Sequence, residues 1–443
     1  MAKIIIKNGE VVSGRGVVKK DILIDGGKIA GVFERGKCKE KADEIDVKGK
    51  VVLPGVVDVH VHFRDPGEVY KEGFESGSRA AAAGGVTTVC DMPNNKPPVL
   101  TCKDLEAKRK LVSGRSYVDY GFYIGYDGKN IDEINRASNI PGVKVYCADS
   151  TGNMGVDGKA LEELFEKVDK KKMLVFHAED ADCIRKKYDE YMSEFAGREA
   201  DAPASIHSKI RDMECAAIMV KTLCELAKKH TRPIHICHVS TEEELDVIAE
   251  YKKYGVTCEV APHHLTLCDD DYEYLGNYIK VNPPVRSRFE IFGLWKNLKA
   301  GVIDIVASDH APHTKEEKDE PYVTAPAGVP GVEMLLPILL NTVNNEGMTL
   351  EEVAQLCCEK PAEIFGIMNK GKIAVGYDAD IVIVDMDMEK EFKNGDVFSK
   401  CGWSPYSGSV FKGWPVMTFV GGEMIYKEGK IVSKPQGKEA VFA

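Results

Sequence analysis

Two histidines one residue apart, His60 and His62, follow a run of apolar β-forming residues at positions 51–57. Such a run predicts a buried strand, and side chains two apart on a strand point to the same face. Both imidazoles would therefore project together from the end of one strand, with Arg64 on that face just beyond them. Imidazole is a common ligand of zinc-like metals, and a guanidinium binds anions. The spacing predicts a metal centre beside an anion-binding group, and the alternative is a pair of histidines hydrogen-bonded in a polar pocket.

The middle of the chain alternates apolar strand-like runs with helical stretches, which is the pattern of repeated βα units. The runs lie at 56–61, 87–92, 117–124, 142–147, 173–177, 233–239, 256–261 and 304–308. Eight such units predict an α/β fold with a parallel (β/α)8 TIM-like barrel, whose chemistry lies at the carboxyl ends of its strands. Of the 11 histidines, only His207 and His230 lie away from these predicted strand ends and the loops just after them. Packing alone gives no reason for histidines to collect there.

The two ends of the chain resemble each other and differ from its middle. Both contain short strand-like runs joined by Asn-Gly or Gly-Gly turns, which favour hairpins. We expect one small β-sandwich domain built from residues 1–53 and 367–443, with the barrel formed by residues 54–366.

Composition excludes several classes of function. The net charge is -11, from 59 basic and 70 acidic residues, which argues against a nucleic-acid-binding surface. No apolar stretch approaches the ~20 residues of a membrane span, and the first residues lack the apolar region of a secretory signal. The 13 cysteines are scattered, odd in number and without CxxC pairs. We therefore expect free thiols and a cytoplasmic enzyme with no membrane or nucleic-acid partner.

Three further predicted strand ends carry residues that could complete a metal site. They are His177 on the fifth strand, His235 and His238 on the sixth, and Asp309 on the eighth. Three or more nitrogen or oxygen ligands with an open position are typical of catalytic zinc. His235 and His238 are three apart and cannot share a strand face, so the spacing leaves the choice between them open. His235 lies inside the apolar run and is expected to point into the barrel, which would make His238 structural.

Lys144 lies inside the predicted fourth strand, where an unpaired ammonium is costly. One interpretation is a lysine that extends to the rim of the barrel. The other is a lysine carboxylated by carbon dioxide, which becomes an anion able to bridge two metals. Composition and periodicity alone favour the first interpretation, a lysine that extends to the rim.

Several motifs, taken in order, resemble the dihydroorotases of the amidohydrolase superfamily, in its cyclic amidase branch. The segment 58–67 (Asp-Val-His-Val-His-Phe-Arg-Asp-Pro-Gly) is similar to the family's first signature. The segment 307–313 (Ala-Ser-Asp-His-Ala-Pro-His), with Lys318 five residues later, is similar to its second. Between them, matching motifs lie at 91–95, 235–240, 259–264 and 281–286. The resemblance covers essentially the whole chain and agrees with a split β domain.

The resemblance implies a pair of zinc ions held by six residues. It implies that one Zn2+ is bound by His60, His62 and Asp309, that a second is bound by His177 and His235, and that carboxylated Lys144 bridges them. Some relatives use an aspartate as the bridge, and Asp149 is the alternative here. The glycine-containing segment 150–154 is expected above the site, where it could act as a lid.

The resemblance also implies a substrate and a reaction. Arg64, Asn94 and His313 match positions that hold the substrate carboxylate and ring, and Asn282 is a further candidate. The implied reaction is the reversible cyclisation of N-carbamoyl-L-aspartate to dihydroorotate, a step of pyrimidine (UMP) synthesis, with Asp309 as the base. The expected partner is this small molecule, and a homodimer is compatible with the chain.

Two other functions fit parts of the same pattern. Dihydropyrimidinases, hydantoinases and allantoinases share the barrel and its metals, although Arg64 and His313 favour a substrate that bears a carboxylate. A catalytically inactive scaffold would keep the fold and lose the ligands. All six implied ligands are present in this chain, which argues against the scaffold.

Overall fold

The computed structural model describes residues 3–148, 155–156 and 158–443. The first strands of the chain belong to a β domain. These strands are β1 (Ile4–Lys7), β2 (Glu10–Ser13), β3 (Gly16–Asp25), β4 (Lys28–Glu34), β5 (Asp43–Asp46) and β6 (Val51–Pro54). The long strand β3 pairs with β2 through its first half and with β1 through its second half. It thereby links two layers that enclose an apolar core containing Ile22, Ile24 and Val52.

Parallel strands form the barrel that follows. They are β7 (Val56–Val61), β8 (Val86–Asp91), β9 (Asp119–Phe122), β10 (Ile124–Gly125), β11 (Val143–Tyr146), β12 (Leu174–His177), β13 (Ile234–Ile236), β14 (Val256–Val260) and β15 (Ile305–Val306). β9 and β10 are two parts of one run, so the eight expected strands are all present. Neighbouring strands pair in parallel. The ring closes where the His62 amide donates to the His310 carbonyl at 2.8 Å.

Helices connect the barrel strands, as the alternating pattern predicts. They are α1 (Phe74–Ala83), α2 (Cys102–Val112), α3 (Ile131–Arg136), α4 (Gly158–Lys167), α5 (Ala181–Met192), α6 (Ile206–Ile210), α7 (Met213–His230), α8 (Glu242–Tyr251), α9 (Pro262–Thr266), α10 (Tyr272–Leu275), α11 (Arg288–Lys299), α12 (Lys315–Lys318), α13 (Leu335–Asn344), α14 (Leu350–Ala354) and α15 (Lys360–Ile364). Among the described residues, no helix has the length and apolar character needed to cross a bilayer.

The chain then returns to the β domain. Its last strands are β16 (Ile381–Glu391), β17 (Val410–Val420), β18 (Glu423–Lys427) and β19 (Lys430–Ile431). β16 pairs antiparallel with β6, which joins the strands from both chain ends into one sheet. The expected fold class, a barrel with a β domain made from both ends, is confirmed. The final residues leave this domain, since the Tyr120 amide on the barrel donates to the Lys438 carbonyl at 3.0 Å.

Two cysteines differ from the expectation of free thiols. Cys183 and Cys215 form a disulfide, and the other 11 cysteines are free. Each of the two is the third residue of its helix, α5 or α7, and the amino ends of these helices meet. A separation of 32 residues carries no signal of that meeting, so the sequence could not predict the bond.

Candidate metal centre and active site

A cavity opens at the carboxyl ends of the barrel strands and collects most of the predicted site residues. Its polar lining is His60, His62, Arg64, Asn94, Lys144, Tyr146, His177, His238, Asn282 and Asp309. The lower half of the barrel is filled by apolar side chains that include Val57, Val59 and Val175. The chemistry-bearing groups therefore lie at the mouth, above a packed floor, as expected for this architecture.

Three side chains converge at one side of the cavity. The Asp309 Oδ1 lies 3.3 Å from His60 Nε2 and 3.2 Å from His62 Nε2. All three side chains are buried, and their donor atoms lie within 4.8 Å of one another. Burial lowers the pKa of His62 to about 4, so its ring is neutral near pH 7 and has a lone pair for a metal.

Hydrogen bonds at the far ring nitrogens fix both histidines. His60 Nδ1 bonds to the Glu259 carboxylate, and His62 Nδ1 lies 2.7 Å from Asn94 Oδ1. A carboxylate or amide oxygen accepts, so each Nδ1 carries the proton. Both Nε2 atoms face Asp309, and the Glu259 and Asp309 carboxylates raise the pKa of His60 to about 10 against the effect of burial. Partners of this kind commonly orient histidine ligands of metals.

A second pair of histidines meets across the cavity. His177 Nδ1 lies 3.0 Å from His238 Nε2, and the two ring centroids are 4.7 Å apart. His177 Nε2 lies 2.7 Å from the Glu179 carboxylate, which in turn is held by Arg211 at 2.6 Å. Because Glu179 accepts from Nε2, the Nδ1 lone pair of His177 points at His238.

The structure differs from the sequence expectation at His235. Its ring is buried below the cavity, with Nε2 3.2 Å from Glu259 Oε2 and Nδ1 2.9 Å from Thr257 Oγ1. Both ring nitrogens are therefore occupied, and the ring packs on Phe365 in the barrel floor. His235 does point into the barrel, but it lies below the mouth. His238, and not His235, lines the cavity beside His177, while the assignment of the metal ligands stays a prediction.

The local backbone explains how His238 reaches the cavity. Its φ is +35°, in the left-handed region that non-glycine residues rarely adopt. Arg64 and Asp309 also have positive φ, at +60° and +46°. These three residues each follow the end of a barrel strand, and their conformations depart from the regular alternation of strand side chains. Such backbone conformations are concentrated at functional sites because surrounding structure must hold them.

Lys144 lies in the cavity, fully buried on β11. Its Nζ is 2.9 Å from Cys237 Sγ and 5.2 Å from the centre of the Tyr146 ring. The lysine does not extend to the rim, which favours the interpretation that it has a role at the site. Asp149 and the segment 150–154 lie outside the described residues, so the alternative bridge and the lid stay predictions.

Arg64 is a cation of the cavity lining, and His313 lies behind it, outside the lining. Arg64 Nη2 lies 3.1 Å from His313 Nε2, and its Nε donates to the Pro312 carbonyl at 3.2 Å. The Lys71 ammonium lies 3.2 Å from His313 Nδ1. Burial and the neighbouring Arg64 lower the pKa of His313 to about 3, so the ring is neutral beside two cations. Lys71 is paired with Glu68 and Glu317, so Arg64 is the cation of the lining that suits an anionic group.

Asn282 lines the cavity and is hydrogen-bonded to His207, a residue that the sequence analysis did not place at the site. His207 Nε2 lies 2.9 Å from both the Asn282 Oδ1 and the Val281 carbonyl. Sequence analysis placed His207 away from every strand end, and its function is to orient the asparagine. Glu259, Glu179 and Arg211 were also missed as supports of the histidines. Glu259 lies two residues after Thr257 on β14 and inside one of the quoted motifs, which was a usable signal.

The Asp309 carboxylate is ionised in this setting. Burial alone would raise its pKa, but the neighbouring His60 and His62 rings hold the pKa of Asp309 well below its usual range. A carboxylate that stays ionised can accept a proton or bind a cation. The cavity thus combines an anionic acceptor, four imidazoles and the guanidinium of Arg64.

Comparison with known proteins agrees with this geometry. The profile described as "Amidohydrolase family" matches residues 51–425, which is most of the chain. The chain belongs to the amidohydrolase family. The expected family is thereby confirmed, together with the expectation of an enzyme.

Individual amidohydrolases resemble the chain over nearly its whole length. It is 38% identical over 438 residues to a dihydroorotase of Halobacterium salinarum, covering 98% of this chain and 99% of that protein. It is 37% identical over 452 residues to a dihydroorotase of Methanosarcina acetivorans, covering 98% and 94%. Among solved structures, an L-hydantoinase (dihydropyrimidinase) from Arthrobacter aurescens is similar, with a TM-score of 0.95, 32% identity and full coverage of both chains.

Membership of the amidohydrolase family implies a metal cofactor, and the side chains present fit one. His60, His62 and Asp309 offer two ring nitrogens and a carboxylate oxygen around one point. A mixed nitrogen and oxygen set of this kind suits zinc and its neighbours. His60, Cys237 and His238 form a second candidate group that shares one histidine with the first.

Proposed function

We propose that this amidohydrolase is a dihydroorotase, which reversibly cyclises N-carbamoyl-L-aspartate to dihydroorotate in pyrimidine synthesis. The observation that carries the proposal is the buried guanidinium of Arg64, which lines the same cavity as the converging metal-type ligands. Dihydroorotate has a ring amide to be opened and a carboxylate to be held, so the metal-type ligands and Arg64 match its two functional groups. Full-length relatives named dihydroorotase support the same assignment.

The proposed metal centre contains two zinc ions. His60, His62 and Asp309 would hold one, because their donor atoms converge. His177 and His238 would hold the other, since their facing nitrogens are 3.0 Å apart. Lys144, carboxylated on Nζ, would bridge the two from its buried position between them. This set replaces His235 of the sequence expectation by His238.

The chemistry follows from these positions. Bound zinc would polarise the amide carbonyl and lower the pKa of a water molecule, so that hydroxide is available near neutral pH. Asp309 would accept the proton of the attacking water and deliver it to the ring nitrogen that leaves. Arg64 would bind both oxygens of the substrate carboxylate, because the guanidinium fork matches that geometry. Asn94, Asn282 and His313 would hold the ring and the carboxylate in register.

The first prediction concerns the unmodified enzyme. It should interconvert dihydroorotate and N-carbamoyl-L-aspartate faster than it opens plain hydantoin or allantoin, because only the former carry the carboxylate. It should contain about two zinc ions per chain, in the manner of binuclear hydrolases. Activity and metal content should fall together on dialysis against a strong chelator and return together on adding zinc. The measurements are kcat/KM for each substrate and metal analysis.

Two outcomes would count against this assignment. A preference for hydantoin would place the protein with the hydantoinases that it resembles structurally. Activity that persists after metal has been removed would contradict the proposed centre.

The second prediction concerns Arg64. Arg64→Met should slow dihydroorotate turnover roughly 10–150-fold, because a charge-assisted hydrogen bond contributes ~1.5–3 kcal/mol. Any slow reaction with uncharged cyclic amides should change little. Metal content should stay the same, because Arg64 is not a ligand. Arg115→Met is the matched control, since Arg115 pairs with Asp65 outside the cavity lining and should leave kcat/KM unchanged. Equal losses on charged and uncharged substrates would show that Arg64 does not select the carboxylate.

A further inference from the structure

The hydroxyl of Tyr146 is a polar group of the cavity that the proposed mechanism does not use. Tyr146 is buried at the end of β11 and lines the cavity beside Lys144 and Asp309. Its Oη is shielded from solvent and has no hydrogen-bond partner among the described residues. Burying a hydroxyl without a partner is unfavourable, whereas phenylalanine would fill the same space at no such cost.

Strand geometry directs this side chain to the reacting groups. Alternation along β11 places Lys144 and Tyr146 on the inner face and Val145 on the outer face. The Tyr146 ring centre lies 6.0 Å from that of His177 and 5.2 Å from Lys144 Nζ. The Tyr146 ring therefore lies beside both Lys144, the proposed bridge, and His177, a proposed ligand of the second metal. Arg64, which would bind the substrate carboxylate, lines the same cavity.

We propose that Tyr146 Oη donates a hydrogen bond to the carbonyl oxygen of the amide that is made or broken. The inference rests on the proposed function and adds a residue to its catalytic machinery. During ring opening, the hydroxide oxygen bonds to the amide carbon, and the π electrons of the carbonyl move onto its oxygen. The phenol keeps its proton and stabilises this negative charge. When the carbon–nitrogen bond breaks, the electrons return to the carbonyl, and the leaving nitrogen takes the proton held by Asp309.

The donor should act mainly in the transition state. The carbonyl oxygen is neutral in the bound substrate and charged after attack, so the hydrogen bond strengthens as the reaction proceeds. Removing a donor of this kind typically lowers kcat by about 10²–10³-fold. Because zinc would act on the same oxygen, we expect a value near the lower end of that range.

The test is Tyr146→Phe, which removes the hydroxyl and keeps the ring against His177 and Lys144. We expect kcat to fall by about 100-fold in both directions of the reaction, with little change in KM. Zinc content and the thermal unfolding midpoint should match those of the unmodified enzyme. Slow turnover of hydantoin should fall by a similar factor, because the donor contacts the amide and not the carboxylate.

A matched control and the contrary outcomes make the test decisive. Tyr406 is also buried, and its hydroxyl pairs with that of Thr266 at 3.1 Å away from the cavity lining. Tyr406→Phe should leave kcat unchanged. If Tyr146→Phe keeps full kcat, Tyr146 only shapes the cavity and the inference is wrong. If only dihydroorotate turnover falls, Tyr146 binds the carboxylate instead. A wild-type preference for hydantoin would overturn the proposed function, and the same variant would then test Tyr146 on hydantoin.

Discussion

Asp309→Asn is expected to abolish nearly all turnover while the protein stays folded. The amide keeps the shape of the side chain but cannot accept the proton of the attacking water. A general base contributes ~10²–10⁴-fold, and a weakened metal site would add to that loss. His60 and His62 both face Asp309 Oδ1, so the asparagine should still sit between them. The measurements are kcat, zinc content and the unfolding midpoint.

The control for this prediction lies at the other end of the same strand. Asp304 precedes β15 and bonds to Lys252 and the Cys258 amide, away from the cavity. Asp304→Asn should therefore affect stability and leave kcat close to that of the unmodified enzyme. Retention of more than about a tenth of wild-type turnover by Asp309→Asn would mean that another group carries the proton.

The fold could be predicted because its signals are local and repeated. Each of the eight barrel strands coincides with an apolar run in the sequence. At the chain ends, the Asn-Gly and Gly-Gly turns lie between consecutive strands, as in β1 and β2, β3 and β4, and β17 and β18. His60 and His62 were predicted correctly as neighbours at one strand end because they belong to one strand and share its alternation. The disulfide between Cys183 and Cys215 had no such signal, since it depends on how two helices meet.

The sixth strand shows where this reasoning fails. Alternation correctly placed His235 on the inner face, but it carried no information on depth within the barrel. The height of a residue depends on the register of its strand with the neighbouring strands, here His235 opposite Val175 and Thr257. The left-handed backbone at His238 also breaks the alternation at the residue that lines the cavity. Strand-end residues with unusual φ are held by tertiary contacts, so a local pattern cannot predict them.

Supporting groups were missed for a related reason. Glu259 binds His60 and His235 on two different strands, which are 199 and 24 residues away in sequence. Arg211 reaches Glu179 from the end of a helix that lies far along the chain. These contacts fix the tautomers of the histidines, and they exist only once the barrel has closed. A sequence pattern can therefore give the ligand types more readily than the groups that orient them.

The pair His238→Gln and His235→Gln should give opposite results for the second metal. In His238→Gln the nitrogen that faces His177 is lost, so zinc content should fall from about two to about one per chain and turnover should nearly vanish. In His235→Gln the amide can still bond to Glu259 or Thr257 below the cavity, so both zinc ions should remain. The same substitution at two positions three residues apart, one on β13 and one just after it, separates loss of a ligand from damage to the strand.

Metal analysis decides between the two histidines independently of activity. His235→Gln should lower the unfolding midpoint, because a buried side chain with two hydrogen bonds is altered, while the metal stoichiometry stays at that of the unmodified enzyme. If His235→Gln loses zinc and His238→Gln retains it, the sequence expectation was correct and the assignment from the structure is wrong. His238 is expected to be the ligand because it presents a ring nitrogen to His177 at 3.0 Å, whereas both nitrogens of His235 already have partners.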